Sequence, residues 1–179
     1  MNFIQKHKIN RHLSRFVRRR RREDMQVCSL ERACGIGVVC SFESPQRLEQ
    51  LIEGVRAFQN DKNRVAIYCF VPKGEKISTE NYEEICFISE KDFDFKGSLR
   101  KEKLLALRGQ SFDILIDINE EASLFSLYLL TEINAKFRIG KNKNCKEYYD
   151  VLLYSPREDC RFEDYFQAIN TYTKKIIQQ

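Results

Sequence analysis

Three polar side chains, Asp117, Asn119 and Glu120, follow an apolar run that reads as a strand, "FDILIDIN" at residues 112–119. Ligand sites of α/β proteins gather at the carboxyl ends of strands, so these residues form a possible ligand site. Two such carboxylates, with waters, are enough to hold Mg²⁺. The simpler interpretation is structural: Asn119 caps the next helix, and Glu120 with Glu121 complements its dipole. Asp113, at the start of the same strand, is expected to be a surface or capping group.

A second chemistry is suggested by the unbroken arginine row 18–22. Residues 1–22 hold nine of the 31 basic residues and none of the 26 acidic ones. The rest of the chain therefore carries 22 basic and 26 acidic residues, a net charge of −4. Five adjacent arginines repel one another and favour a polyanionic partner, whose phosphates they can bind bidentately.

The pattern around these arginines predicts a helix over residues 3–22. Ile9, Leu13, Phe16 and Val17 lie on one side of such a helix, and Arg20 falls on that same side. We expect a cationic arm over residues 1–26 that stands apart from an α/β domain over 27–179. The arm is compatible with three roles: a solvated helix end, a helix on an anionic membrane surface, and a nucleic-acid-binding element.

A second basic group surrounds the segment "GKNKNCKEYY" (140–149), close to Tyr148 and Tyr149. Alternating cations and aromatic rings can hold phosphates and stack a base. The expected nucleic-acid-binding residues of the whole chain are therefore those of the arm and of this segment: Arg11, Arg15, Arg18, Arg19, Arg20, Arg21, Arg22, Lys136, Arg138, Lys141 and Lys143.

Several catalytic signatures are missing from the sequence. Gly35 and Gly37 stand at the start of the first predicted strand instead of following it, so no dinucleotide-binding fingerprint is present, and no P-loop occurs. The two histidines, His7 and His12, lie in the arm, away from any predicted cleft, and are expected to be polar surface residues. The seven cysteines form no Cys-x-x-Cys pair, which disfavours zinc and favours reduced thiols in the core. We expect no cofactor, no metal site and no catalysis by this chain alone.

The body alternates apolar runs with helical patterns. Strands are predicted at 36–42, 64–71, 84–89, 112–119, 136–140 and 149–155, and helices at 44–60, 99–107, 120–134 and 161–177. Strands that read as continuous apolar runs indicate a parallel sheet covered on both faces. The predicted fold is a doubly wound, mostly parallel, six-stranded Rossmann-like α/β sheet with strand order 3-2-1-4-5-6.

The stretch "FDILIDIN…LYLLTEINAKFRIG" resembles part of the N-terminal half of lipopolysaccharide heptosyltransferases, where a strand ending in aspartate precedes a helix and an Ala-x-x-Arg-Ile-Gly strand. Taken whole, the basic arm and α/β body resemble a family of short, uncharacterised proteins from Bacteroidota. These resemblances imply the fold, and the first implies a half-length glycosyltransferase-like domain that binds a sugar nucleotide or phosphate at the carboxyl edge of the sheet.

The sequence thus favours a cytoplasmic, non-catalytic protein that binds a polyanion, with structured RNA or the ribosome as the expected partner. Two alternatives stay open: the sugar-nucleotide domain just described, and peripheral membrane attachment through the basic amphipathic helix. No apolar run is long enough for a membrane span.

Overall fold

The computed structural model describes residues 2–20, 26–75, 77, 82, 84–121, 123–154 and 161–178. Arg21, Arg22 and Cys160 lie outside these ranges. The helices are α1 (Phe3–Arg19), α2 (Pro45–Phe58), α3 (Lys101–Arg108), α4 (Leu124–Glu132) and α5 (Phe162–Ile177). The strands are β1 (Gly35–Ser41), β2 (Arg64–Val71), β3 (Ile85–Ser89), β4 (Ser111–Asp117), β5 (Asn134–Gly140) and β6 (Val151–Leu152). None of the helices in these ranges combines the length and hydrophobicity needed to cross a membrane.

The six strands form one parallel sheet in the order β3-β2-β1-β4-β5-β6, which confirms the predicted order and fold class. The central strands are buried on both faces over most of their length, which explains why their sequences are mostly apolar. β6 is shorter than predicted: only Val151 and Leu152 pair with β5. Tyr149, two residues before β6, does not continue the strand; its side chain turns inward, and its hydroxyl donates to a buried carboxylate.

Helices cover both faces of this sheet. α2 and α5 pack on one face through residues that include Leu48, Leu51, Phe166 and Ile169. α1 and α4 contribute to the core on the other face, where Leu107 of α3 is also buried. The order of strands reverses between β1 and β4, so the segments that follow these two strands lead to opposite faces of the sheet. In open α/β sheets, ligands bind in the crevice at this position.

α4 begins later than predicted, at Leu124. Its N-cap is Ser123, whose hydroxyl accepts a hydrogen bond from the Ser126 amide at 3.0 Å. The predicted capping role of Asn119 is therefore wrong, and Glu120 and Glu121 lie outside the first turn of α4. Asn119 instead accepts a bond from the Ser41 amide at 2.6 Å, which ties the end of β1 to the segment after β4.

α1 is packed on the body, contrary to the expectation that the arm stands apart. Ile9 is completely buried and Leu13 is 3% exposed, in the same core cluster as Leu129 and Leu130 of α4. Asn2 and Gln5 form a capping box at the start of the helix. The division of the chain at residue 26 stays a prediction, but the helix shares a hydrophobic core with the rest of the protein.

The turn at residues 94–98 fixes the first turn of α1. The Gln5 side-chain amide donates a hydrogen bond to the carbonyl of Asp94 at 2.9 Å. Gly97 has φ +80°, and a Cβ atom there would lie 2.9 Å from the Gln5 carbonyl oxygen. Glycine is required at this position both by the backbone conformation and by the close approach of the helix.

The other end of α1 is held by charge and by an aromatic ring. Arg20, one of the expected nucleic-acid-binding residues, instead faces the body, where its guanidinium pairs with Asp150. Phe16 stacks against Tyr148 and lies 5.2 Å from the guanidinium carbon of Arg138. The apolar side of α1 is therefore in contact with protein along its whole length.

We predict that Leu13→Ala lowers the free energy of unfolding by about 2–5 kcal/mol, because it leaves a cavity in a closed core. Arg11→Ala, two residues earlier on the solvent side, serves as the control and should change it by less than about 0.5 kcal/mol. Urea denaturation of both variants measures the difference. Equal stabilities for the two would mean that α1 is not docked in solution.

Candidate functional site

The carboxylate of Asp117, at the end of β4, is buried and fully occupied by hydrogen bonds. One oxygen accepts from the backbone amide and side-chain amide of Asn119, at 3.0 and 2.6 Å, and the other accepts from the Tyr149 hydroxyl at 2.7 Å. Asp117 and Asn119 do lie at the carboxyl edge, as predicted. Asp117 is 0% exposed, however, so its position suits a structural latch better than a ligand contact.

We call Asp117, Asn119 and Tyr149 the buried latch; the Tyr149 side chain crosses β5 to reach Asp117. Burial raises the pKa of Asp117 to about 6, although its three hydrogen bonds favour the ionised form. The Tyr149 ring lies directly on Gly140, where any Cβ atom would overlap it. Gly140, the last residue of β5, therefore leaves room for the Tyr149 side chain to cross β5 and reach Asp117 at the end of β4.

A cleft of about 560 Å³ opens beside the latch, at the crevice between β1 and β4. Ser41 to Glu43, Ile118 to Glu120, the first half of α2 and the start of α5 line it. Its charged side chains are Glu43, Glu53, Glu120, Glu163, Arg47 and Arg161. Arg47 stacks on Phe162 at 4.1 Å, and Arg161 pairs with Glu163 and Asp164. The cleft thus carries an excess of carboxylates.

A neighbouring cavity of about 610 Å³ shares Ser41, Phe42, Glu43, Asn119 and Glu120 with this cleft. It also takes in Glu90 and Glu121, and its lining among the described residues includes no Lys or Arg. The carboxyl edge of the sheet is therefore acidic on both sides of β1. In the part of the chain that the structure describes, no group of three His, Cys, Asp or Glu residues could hold a metal ion.

The second predicted basic group is not a single surface. Lys136 lies near the start of β5, where its ammonium pairs with Asp113 at 2.8 Å. Asp113 also accepts hydrogen bonds from the Cys34 and Gly35 amides at the start of β1. Lys141 follows the end of β5, about 16 Å further along the strand at 3.3 Å per residue. These two lysines therefore lie at opposite ends of β5, one at the amino end and the other at the carboxyl end.

Arg138 is buried, so the structure removes it from the expected nucleic-acid surface. It is 8% exposed, and its guanidinium donates to the carbonyls of Ala135 and Ile133 at 2.8 and 3.0 Å. Burial, followed by the charge of Arg20, lowers the pKa of Arg138 to about 10, so the side chain stays charged at neutral pH. Its role is to support Phe16 and thereby α1.

The remaining cations of this segment also lie against protein groups. The Lys141 side chain is 8% exposed and lies 4.3 Å from the Tyr165 ring and 4.0 Å from a Glu120 oxygen. Lys143 is exposed, with its ammonium 4.4 Å from the Tyr154 ring. Of the four predicted residues in this segment, Lys143 is the one that is exposed and forms no ion pair among the described residues, and its contact with phosphate stays a prediction.

The solvent side of α1 carries a continuous row of cations. Lys8, Arg11, Arg15 and Arg18 are spaced by three, four and three residues, which places them along one side of the helix, and all are exposed. Arg19 is exposed next to this row. Within the described residues, none of these five forms an ion pair. We call Lys8, Arg11, Arg15, Arg18 and Arg19 the cationic face of α1.

Two residues of α1 have roles that the sequence did not reveal. Lys8 was not among the predicted contact residues, although its spacing of three from Arg11 was a readable signal. His12, expected to be a polar surface residue, is half-buried and lies 2.9 Å from the Thr131 hydroxyl and 3.4 Å from a Glu132 oxygen. Burial lowers the pKa of His12, against the opposing effect of Glu132, so His12 adds no charge to the cationic face at neutral pH.

The six described cysteines are free thiols. Cys40 and Cys69 lie opposite each other in β1 and β2 and are buried. The hydrogen bond between the Cys40 thiol and Cys69, together with burial, raises the pKa of Cys40 well above its ordinary value, so this thiol is a poor nucleophile.

The buried latch makes a testable contribution to stability. The folded-state pKa of Asp117 lies above its ordinary 3.8, so its stabilising contribution is complete below about pH 4 and is lost as the pH rises through about 6. Asp117→Asn removes this titration. Relative to the unchanged protein, the variant should therefore gain about 3 kcal/mol between about pH 4 and pH 7, measured by urea denaturation. A stability difference that does not vary with pH would show that Asp117 titrates normally.

The fold has known structural relatives. Two solved structures of the E. coli heptosyltransferase WaaC, one with ADP and one with ADP-2-deoxy-2-fluoro heptose, match with TM-scores of 0.51 and 0.52. Both are 11% identical in sequence over 75% of this chain. The chain spans 46% and 48% of those two proteins, which is about half their length. The likeness supports a glycosyltransferase-like α/β fold.

The sequence comparisons identify a family. No curated protein matches the sequence. A family model matches residues 2–176, and thus takes in α1 together with the α/β body. The chain belongs to the family of unknown function DUF6913.

Proposed function

We propose that this protein is a non-catalytic polyanion-binding protein that docks on structured RNA through the cationic face of α1. The observation that carries the proposal is the exposure of five cations on a helix whose opposite side is buried. Docking orders the helix before any partner arrives, so little conformational entropy is lost on binding. Arginine suits phosphate groups because its guanidinium donates two parallel hydrogen bonds.

The charge distribution supports a phosphate-bearing partner on this side of the protein. The carboxyl edge of the sheet is acidic, whereas no described carboxylate neutralises the cationic face. An RNA would be attracted to α1 and repelled by the carboxyl edge, which orients the complex. Arg21 and Arg22 directly follow the described end of this helix in sequence and extend the proposed contact.

Membrane attachment through the apolar side of α1 is less compatible with the packing. Ile9 and Leu13 are buried against α4, and Phe16 lies between Tyr148 and Arg138. Insertion into lipid would require α1 to leave the body and would expose the core residues beneath it.

The alternative of a sugar-nucleotide site rests on the fold likeness and on the cleft beside β1. Its lining disfavours phosphate, because Glu43, Glu53, Glu120 and Glu163 outnumber Arg47 and Arg161. No glycine-rich turn follows β1, whose exit is Phe42-Glu43-Ser44-Pro45. We therefore place phosphate recognition at α1.

We expect Arg11→Gln/Arg15→Gln to weaken binding to a labelled RNA hairpin and to make it less sensitive to salt. Loss of two phosphate contacts should reduce the slope of log K against log salt concentration by about 1.5. Fluorescence anisotropy over a range of KCl concentrations measures both effects.

The matched control is Lys62→Gln/Lys175→Gln, which removes the same charge from two exposed sites outside the cationic face. Lys175 belongs to α5, on the other side of the sheet. If both double variants reduce the slope equally, the attraction is a property of net charge and the cationic face is not the binding site.

Millimolar ADP should raise the melting temperature by less than about 1 °C, with or without Mg²⁺, because the cleft is acidic. Thermal-shift measurements test this. An increase of several degrees that is abolished by Arg47→Ala would instead support the glycosyltransferase-like alternative.

A further inference from the structure

A groove of about 290 Å³ runs between α1 and the turn at residues 94–98. Lys8, Arg11 and Arg15 contribute three cations from α1, while Ser98 and Tyr128 lie on the other side. The groove is near the lower end of the size range of small-ligand sites, about 300–1,000 Å³, so it suits one phosphate-bearing unit better than a large ligand.

None of the described residues that line this groove is a carboxylate. The nearest acidic groups among the described residues are already bonded. The Asp94 carboxylate accepts hydrogen bonds from the Lys96 and Ser98 amides at 2.8 and 2.9 Å, and Glu132 pairs with Arg108 at 2.7 Å. Among the described residues, the three cations therefore face the groove without a carboxylate partner, which is the electrostatic condition for binding an external phosphate.

An exposed aromatic ring lies on the turn that forms one wall of the groove. Phe95 is 68% exposed, and the Lys96 ammonium lies 5.3 Å from its ring centre. The turn is not free to bury this ring, because the Asp94 carbonyl is bonded to Gln5 and Gly97 contacts the α1 backbone. Phe3, 84% exposed, stands at the start of the same helix. Rigid exposed rings beside cations are the arrangement with which proteins stack unpaired bases.

We propose that the RNA partner presents an unpaired nucleotide to this groove, an inference that rests on the proposed function. Its phosphate would lie between Lys8, Arg11 and Arg15, and a neighbouring base would stack on Phe95. Base stacking requires a base outside a helix, so the groove would prefer single-stranded loops or ends over continuous duplex. A fully paired RNA would still contact the cationic face, but without the stacking interaction.

The test compares Phe95→Ala with the unchanged protein on two labelled RNAs, an unstructured polyuridine oligomer and a blunt-ended duplex. Loss of one stacked base should weaken polyuridine binding about tenfold or more and leave duplex binding and the salt slope unchanged. Leu105→Ala, which truncates another exposed apolar side chain on α3, is the matched control and should change neither affinity.

The outcomes separate this inference from the proposed function. If Phe95→Ala binds both RNAs like the unchanged protein, the stacking site is overturned while RNA binding by α1 stands. If the unchanged protein binds neither RNA at low salt, both proposals are overturned. If Phe95 is needed for binding to phosphatidylserine vesicles and not to RNA, the exposed ring is a lipid contact and the inference is wrong.

Discussion

The packing of α1 on α4 is the interaction on which the account depends. Burial of Ile9 and Leu13 turns a strongly cationic sequence into an ordered helix with one apolar and one charged side. The buried guanidinium of Arg138 supports Phe16, and the Arg20–Asp150 pair holds the last turn. Without this packing, the adjacent arginines would repel one another, and no tertiary contacts would stabilise the helix.

The same packing explains how an α/β domain with an acidic carboxyl edge can still attract a polyanion. Charge is separated within the protein: carboxylates gather beside the carboxyl ends of β1 and β4, and cations gather on α1. The usual ligand position of this fold is thus unsuited to phosphate. The fold likeness to WaaC accordingly describes the scaffold, and the proposed activity belongs to the helix added before the first strand.

Strand order and layer arrangement could be predicted because β1, β2 and β4 are mostly apolar and alternate with segments of helical pattern. The site was harder to predict, because the properties of its residues come from long-range contacts. Arg138 looks like a surface cation in sequence, but Phe16, 122 positions earlier, covers it. Asp117 and Asn119 resemble a ligand pair, yet Tyr149 and Ser41 take up their bonding capacity. Periodicity revealed the charged side of α1, but it could not reveal that the apolar side packs against α4.

Hydrogen exchange of the full-length protein, with and without an RNA hairpin, tests the central claim most directly. In the free protein, amides around Ile9 and Leu13 should exchange far more slowly than in an isolated helix, because α1 is docked. Added RNA should slow exchange further along α1 and leave the segments 41–44 and 118–121 unchanged. Rapid exchange of α1 in the free protein, or RNA protection confined to the carboxyl edge of the sheet, would contradict the account.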